Sequence, residues 1–506
     1  MHALPARADA AAHMAAGPRR LSSAAPSRAA ALASSPAREL ARRRVVRLVF
    51  VVYLLAIFEG AARKYLLPEF GQYIFFIRDP FVVWACVIAT RWRLWPRGDA
   101  MTRVVSWGAS GGVLLLVLQF AFGPQSDLRL LLGAYGWRAY FFYLPLALLV
   151  GEQFEHDDLR RLARLTLLLA VPIALLVALQ FFSPPGAAVN VGSSDDKLLQ
   201  FRNLAVDTAH VRPAGTFSSN VGQQQFDNTA FSMLLALVIL PAARRRVGLP
   251  TLVAGGAAVL TCVALSGSRG TILQTAMILL FALPVALLSR AGSTRRRAAL
   301  IPATLAVAAV LLYPVVFPES FAAFTTRWTT AARDESGVGG VFGRALIGFV
   351  DFTRLTDVVP PLGFGLGFGG NAAVLLKATI DGIEPGVYAE TDYARHMVDL
   401  GTACGIAYIV FRVVFVAWLL RRVVRATRRS GDPLPMMLFA YAGYVILIAQ
   451  ITGNGSINVY GWLFAGLCIA ACRVAGAPAT VPAPAPVLAR RAPRALARRP
   501  AARIAG

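Results

Sequence analysis

The chain has 506 residues, 57% of them hydrophobic and only 15% charged, with a mean hydropathy of +0.59. That composition excludes an ordinary soluble multidomain protein and places the chain in the membrane class. The formal net charge of +25 would suit nucleic acid, but the arginines lie in clusters between apolar stretches, which excludes nucleic acid as a partner and reads instead as orientation. The clusters Arg42–Arg44, Arg91/Arg93/Arg97, Arg160/Arg161/Arg164, Arg244–Arg246, Arg295–Arg297, Arg421–Arg429 and the tail after Arg473 occupy every second junction. They mark one side as cytoplasmic and in contact with anionic headgroups.

In chain order, residues 1–40 are rich in Ala, Arg, Pro and Ser and nearly free of acid, a composition shared by organelle transit peptides and by basic disordered tails; it is read as a disordered cytoplasmic tail. Residues 41–475 form a polytopic transmembrane domain. Spans are expected near 45–62, 73–90, 103–122, 134–151, 164–182, 225–243, 249–267, 271–289, 299–317, 396–420, 434–452 and 459–475. Each is close to the length that crosses about 30 Å of hydrocarbon. They must be helices, because lipid offers the backbone no hydrogen-bond partner. The expected fold is therefore an all-α integral membrane protein of about twelve spans, with both termini cytoplasmic. Arg78-Asp79-Pro80 and Arg138 fall inside expected spans. A charge at mid-membrane costs about 3 kcal/mol, so these stretches are expected near an interface or facing a polar interior.

Two extracytoplasmic loops, 183–224 and 318–395, are far longer than a turn requires. In the second, Phe321, Phe324 and Trp328 recur at helical spacing beside Arg327, and Phe342, Leu346, Phe349 and Phe352 around Arg344. Both patterns predict short amphipathic helices on the membrane surface. Residues 476–506 return to a disordered Ala/Pro/Arg tail. The five cysteines all lie in expected spans and form no CxxC pair, so neither a disulfide framework nor a metal site is expected.

Four polar groups on the outer side are candidates for chemistry. Arg212-Pro213-Ala214-Gly215-Thr216-Phe217-Ser218-Ser219-Asn220 joins a guanidinium fork suited to phosphate oxygens with a turn that exposes backbone N–H groups; an ordinary loop arginine is the plainer account. Ser266-Gly267-Ser268-Arg269-Gly270 closes a tight hairpin whose Arg269 stands against the orientation bias, either as a functional group or as an arginine reaching outer headgroups. Arg344 precedes Pro360–Gly370, whose glycines lack the strand and Lys-Ser/Thr of a nucleotide loop and suit close backbone approach instead. Glu390-Thr391-Asp392-Tyr393-Ala394-Arg395-His396-Met397-Val398-Asp399 places Asp392, His396 and Asp399 on one helix face. Glu390, Asp392 and His396 are the candidate general bases, with capping and i,i+4 charge pairing as the structural alternative.

These groups, in this order, resemble the O-antigen ligase and O-antigen polymerase superfamily over roughly residues 200–410. The resemblance rests on Arg212 with Gly215-Thr216-Phe217 and Asn220, on Ser266–Gly270, on Arg344 with Gly363–Gly369, and on Glu390–Tyr393 before Gly401 and Gly405. Ligases usually carry His-Asn where this chain has Glu390-Thr391, which is nearer the polymerase-type members, although His396 keeps ligase activity open. The resemblance implies a bacterial cytoplasmic-membrane enzyme acting on a polyprenyl-pyrophosphate-linked glycan donor, with a glycan or lipid acceptor and a chain-length regulator as a further partner. Arg212, Arg269 and Arg344 would hold the pyrophosphate, and no cofactor, nucleotide or metal is implied. A multi-span transporter or lipid-linked glycan flippase is the alternative from another class. Residues 60–80, with Arg63-Lys64-Tyr65, have no place in this pattern.

Overall fold

The computed structural model describes residues 36–123, 128–190, 210–334, 347–376, 378–379, 384 and 391–475. Both tails, apart from 36–40, and the candidates Arg344 and Glu390 lie outside the described residues. Among the described residues the chain is helical and has no strand, as a backbone that must satisfy itself in lipid requires.

In chain order the main helices are α1 (Pro36–Ala61), α2 (Asp79–Arg91), α3 (Ala100–Phe122), α4 (Arg129–Trp137), α5 (Leu144–Gln153), α6 (His156–Phe182), α7 (Asn220–Ile239), α8 (Leu249–Leu265), α9 (Arg269–Leu288), α10 (Gly292–Val316), α11 (Pro318–Asp334), α12 (Asp392–Ser430), α13 (Leu434–Leu447) and α14 (Gly455–Ala475). Among the described residues seven are long and apolar enough to cross a membrane: α1 with its extension to Leu66, α3, α6, α9, α10, α12 and α14. The other expected spans are helices of a different kind. α2, α8 and α13 run 13, 17 and 14 residues. The stretch around Arg138 is broken by a π-helical turn, Arg138–Phe142, before α5. α7 is 20 residues long, but Gln223, Gln225, Asp227 and Asn228 make its first half polar.

Consecutive helices run between two ends of the bundle. At one end Arg42 pairs with Asp158 at 2.9 Å, Arg473 binds the Gly151 carbonyl at 3.1 Å and Arg422 reaches Asp99 at 3.3 Å. This end collects the arginine clusters. The opposite end collects residues 62–78, 135–140, 212–220, 266–270, 361–370 and 391–399 together with the start of α14. α14 forms the core of the bundle: 89% of its apolar window is buried, against α5, α13 and α12. α10 is the opposite case, with 6% of its apolar window buried. A helix so apolar and so uncovered belongs in lipid.

The predicted amphipathic helix at Phe321–Trp328 is present as α11, with the Phe324 and Trp328 rings 5.9 Å apart in a tilted arrangement and Ser320 tied to the Ala264 carbonyl at 2.7 Å. α12 starts at Thr391, whose side chain accepts the Ala394 N–H. It kinks at Gly401, where φ 78° and ψ 172° lie in a region only glycine enters without strain. The kink lets the Pro361 carbonyl approach so closely that a Cβ on Gly401 would sit 2.1 Å from its oxygen. The glycine turn at 361–370 is thereby packed directly on the first half of α12.

Candidate functional site

The polar groups at this second end lie on neighbouring segments and gather into two clusters, one around Phe75 and one around Asp392. They begin with Glu59 and with residues 60–80, for which the sequence assigned no role. α1 does not stop at Ala61; one π-helical turn, Ala62–Leu66, widens its last coil and aims Arg63 and Lys64 toward the bundle. Gly60 permits the contact that follows, because a Cβ there would lie 2.1 Å from the Ser218 nitrogen. The Arg212–Asn220 segment therefore rests backbone-to-helix against α1. Arg63 donates to Ser218 Oγ at 3.1 Å and Lys64 Nζ to the Gly215 carbonyl at 2.8 Å. Gln180 clamps the same glycine from α6, taking its N–H at 2.7 Å and donating to its carbonyl at 3.3 Å.

The Phe75 ring is the hub for three guanidinium groups. Arg138 lies 4.7 Å from its centroid, Arg63 and Arg78 each 5.9 Å. Such cation–π contacts hold cations without neutralising them. Two carboxylates answer the four cations. Asp79 takes Arg138 bidentately at 2.6 and 3.0 Å and the Tyr143 hydroxyl at 2.7 Å. Glu59 faces Arg78 at 2.9 Å, a contact made by charge without hydrogen-bond alignment. By formal count, cations outnumber carboxylates in this cluster. The charges of Arg63, Arg78, Arg138 and Arg395 all fall within electrostatic range of Tyr135, which stacks on Phe75 at 6.1 Å. The same segment turns a different face outward: Leu66, Phe70 and Tyr73 are 74%, 54% and 65% exposed. Cations inward and large apolar side chains outward, within one short stretch, give a polar floor with an exposed apolar edge.

The segments bearing Arg212 and Arg269 meet at the first turns of α7. Gly215 packs on the Gln223 side chain and Gly270 on that of Gln224, while Ser268 caps α9 by accepting the Thr271 N–H at 3.4 Å. Both arginines are half-buried. Through Arg63 and Lys64 this region joins the cluster around Phe75.

Asp392 and His396 lie behind that rim, in the interior. Asp392 takes Arg395 at 2.9 Å and Arg412 at 2.5 Å, the Thr452 hydroxyl at 2.8 Å and the Ile451 N–H at 3.1 Å. Its oxygens are committed to holding these partners. Arg412, itself fully buried, also binds the Ile446 and Ala449 carbonyls at 2.6 and 2.9 Å and reaches His396 Nε2 at 2.7 Å. A guanidinium only donates, so Nε2 accepts and the ring proton is assigned to Nδ1, facing the Tyr140 hydroxyl at 3.1 Å. Tyr140 in turn donates to Asp399 at 3.1 Å, and Asp399 takes the Gly369 N–H at 2.6 Å. Arg395 closes the ring by donating to the Gly369 carbonyl at 2.6 Å. The i, i+4, i+7 face of Asp392, His396 and Asp399 is thus a framework fixing Arg395 and the glycine turn, with both imidazole nitrogens engaged inside the protein.

Arg63, Lys64, Arg78, Tyr135 and Arg138 were missed as site residues. For the four cations the signal was present, since they are charges retained at the end of the spans opposite the arginine clusters; Tyr135 carried none. This chain matches no protein-family model and no curated protein.

Proposed function

We propose that this chain is a bacterial inner-membrane glycosyltransferase of twelve helical passes, both termini cytoplasmic, that polymerises or ligates polyprenyl-pyrophosphate-linked glycans at the extracytoplasmic end of the bundle. The observation that carries this reading is the cation-rich floor around Phe75, bordered by the Arg212 segment and flanked by lipid-facing aromatics. A diphosphate esterified at both ends carries two negative charges, which suits a floor where cations outnumber carboxylates. The lipid half of such a donor lies in the bilayer beside Leu66, Phe70 and Tyr73, and its sugar half faces the outer loops.

In the reaction, the acceptor hydroxyl oxygen forms a bond to the anomeric carbon as the bond from that carbon to the diphosphate oxygen breaks. The electron pair leaves with the lipid diphosphate, where Arg63, Arg78, Arg138, Arg212 and Arg269 stabilise it through charge-assisted contacts in a partly dehydrated site. The hydroxyl proton goes to a carboxylate, for which Glu390 is our choice. Asp392 and His396 serve by positioning Arg395. Resemblance in the motif order from Arg212 to Gly405 supports the same assignment.

Incubating the purified protein with a polyprenyl-diphosphate oligosaccharide, without nucleotide, tests this. Longer or transferred glycans are expected, lost in Arg269→Ala and in Arg63→Ala with the fold retained. The buried polar first half of α7 favours a second reading, transport of a lipid-linked glycan. Unchanged glycan that crosses a liposome bilayer would select it over transfer.

A further inference from the structure

A second polar centre lies inside the bundle on α7, apart from the cationic floor. Asp227 is completely buried, and its Oδ1 accepts Gln223 Nε2 at 2.6 Å. Among the described residues Asp227 Oδ2 has no partner, and no cation stands against it. Gln223 Oε1 and Thr216 Oγ1 are likewise buried without a partner, as is the hydroxyl of Tyr460, whose charge-bearing end lies within electrostatic range of Asp227. Gln223 and Asp227 are one helical turn apart on the same face, and Gln223 Oε1 lies directly over Gly215, beside Thr216. Gln223 thus joins Asp227 to the Gly215 turn that carries Thr216, and the Tyr460 hydroxyl, with Arg78 also in range, lies within electrostatic range of Asp227.

Leaving a polar atom buried and unpaired costs roughly 1–3 kcal/mol, and an unpaired carboxylate more. Water would satisfy the neutral oxygens but would leave the carboxylate charge uncompensated. One carboxylate with neutral hard oxygens is the donor set of a monovalent hard cation: among the described residues no imidazole faces Asp227, a divalent ion would retain excess charge, and the Cys262 thiol within electrostatic range of Asp227 is a soft donor that a hard cation does not select. We propose that Asp227, Gln223, Thr216 and Tyr460 form a binding site for an alkali-metal cation of sodium size. By drawing in Thr216 and Gln223 the ion braces the Gly215 turn, whose carbonyl Lys64 holds from the other side. The inference stands on this geometry and does not depend on the transferase reading.

The test is thermal unfolding of the full-length protein in detergent, in sodium chloride and in N-methyl-D-glucamine chloride at equal ionic strength. Sodium is expected to raise the midpoint of the wild type and of Leu273→Ala, an exposed position on α9, and to leave Asp227→Asn unmoved. Should Asp227→Asn fail to fold, saturable binding of radioactive sodium to the wild type, weakened about tenfold or more by Thr216→Val, decides the same question. Equal midpoints in the two salts, or no saturable sodium binding, would overturn the site and leave a proton as the neutralising partner of Asp227.

Discussion

The Asp79–Arg138 pair should behave as one energetic unit. Its carboxylate receives two guanidinium hydrogen bonds, at 2.6 and 3.0 Å, and one hydroxyl bond at 2.7 Å, with both side chains largely withdrawn from solvent. Charge-assisted bonds contribute about 1.5–3 kcal/mol each, and breaking a buried pair costs about 3–5 kcal/mol because it strands the remaining charge. Arg138→Met should therefore destabilise the protein by about 3–5 kcal/mol, and Asp79→Leu by a similar amount. The double variant should cost little more than either single one, since the second substitution removes the stranded charge. The resulting coupling is about 3 kcal/mol. Unfolding titrations in mixed micelles, followed by tryptophan fluorescence, measure all four corners of the cycle. Additivity to within about 0.5 kcal/mol would show that the two side chains do not share a buried ion pair, and the placement of the Phe75 cluster would fall with it.

Gly60→Val should displace the Phe217–Ser218 backbone and abolish the Arg63 and Lys64 contacts, seen as an early unfolding midpoint and faster proteolysis of the 212–220 segment. Gly401→Ala forces a side chain into a strained φ of 78° against the Pro361 carbonyl, costing about 1–3 kcal/mol or more in the same titration. Asp392→Asn leaves Arg395 and Arg412 buried with one neutral acceptor between them. It should lower the yield of folded protein sharply, and a midpoint equal to wild type would contradict the interior placement. Arg63→Ala, at the half-buried edge of the floor, should weaken binding of a fluorescent lipid diphosphate about tenfold or more while changing the midpoint little. Unaltered affinity would remove the floor from the site.

Apolar stretches and arginine spacing were enough to establish a helical membrane protein with two chemically different ends, because hydrophobic length and charge asymmetry are local properties that lipid reads directly. The common face of Asp392, His396 and Asp399 was equally legible, since helical periodicity is local too. What the sequence did not disclose is that this face is turned inward, onto Arg412, Tyr140 and Thr452, which are separated from it by up to 259 residues of chain. Around Arg78 and Arg138 the helices are interrupted, before Asp79 and by the π-helical turn Arg138–Phe142, a local break that hydropathy alone does not show. Arg63, Lys64, Arg78 and Arg138 looked like isolated misplaced charges. Only the packing of α1, α2, α4 and the Arg212 segment around Phe75 turns them into a single floor, because a cation's partners are chosen by which helices become neighbours and not by the residues beside it in the chain.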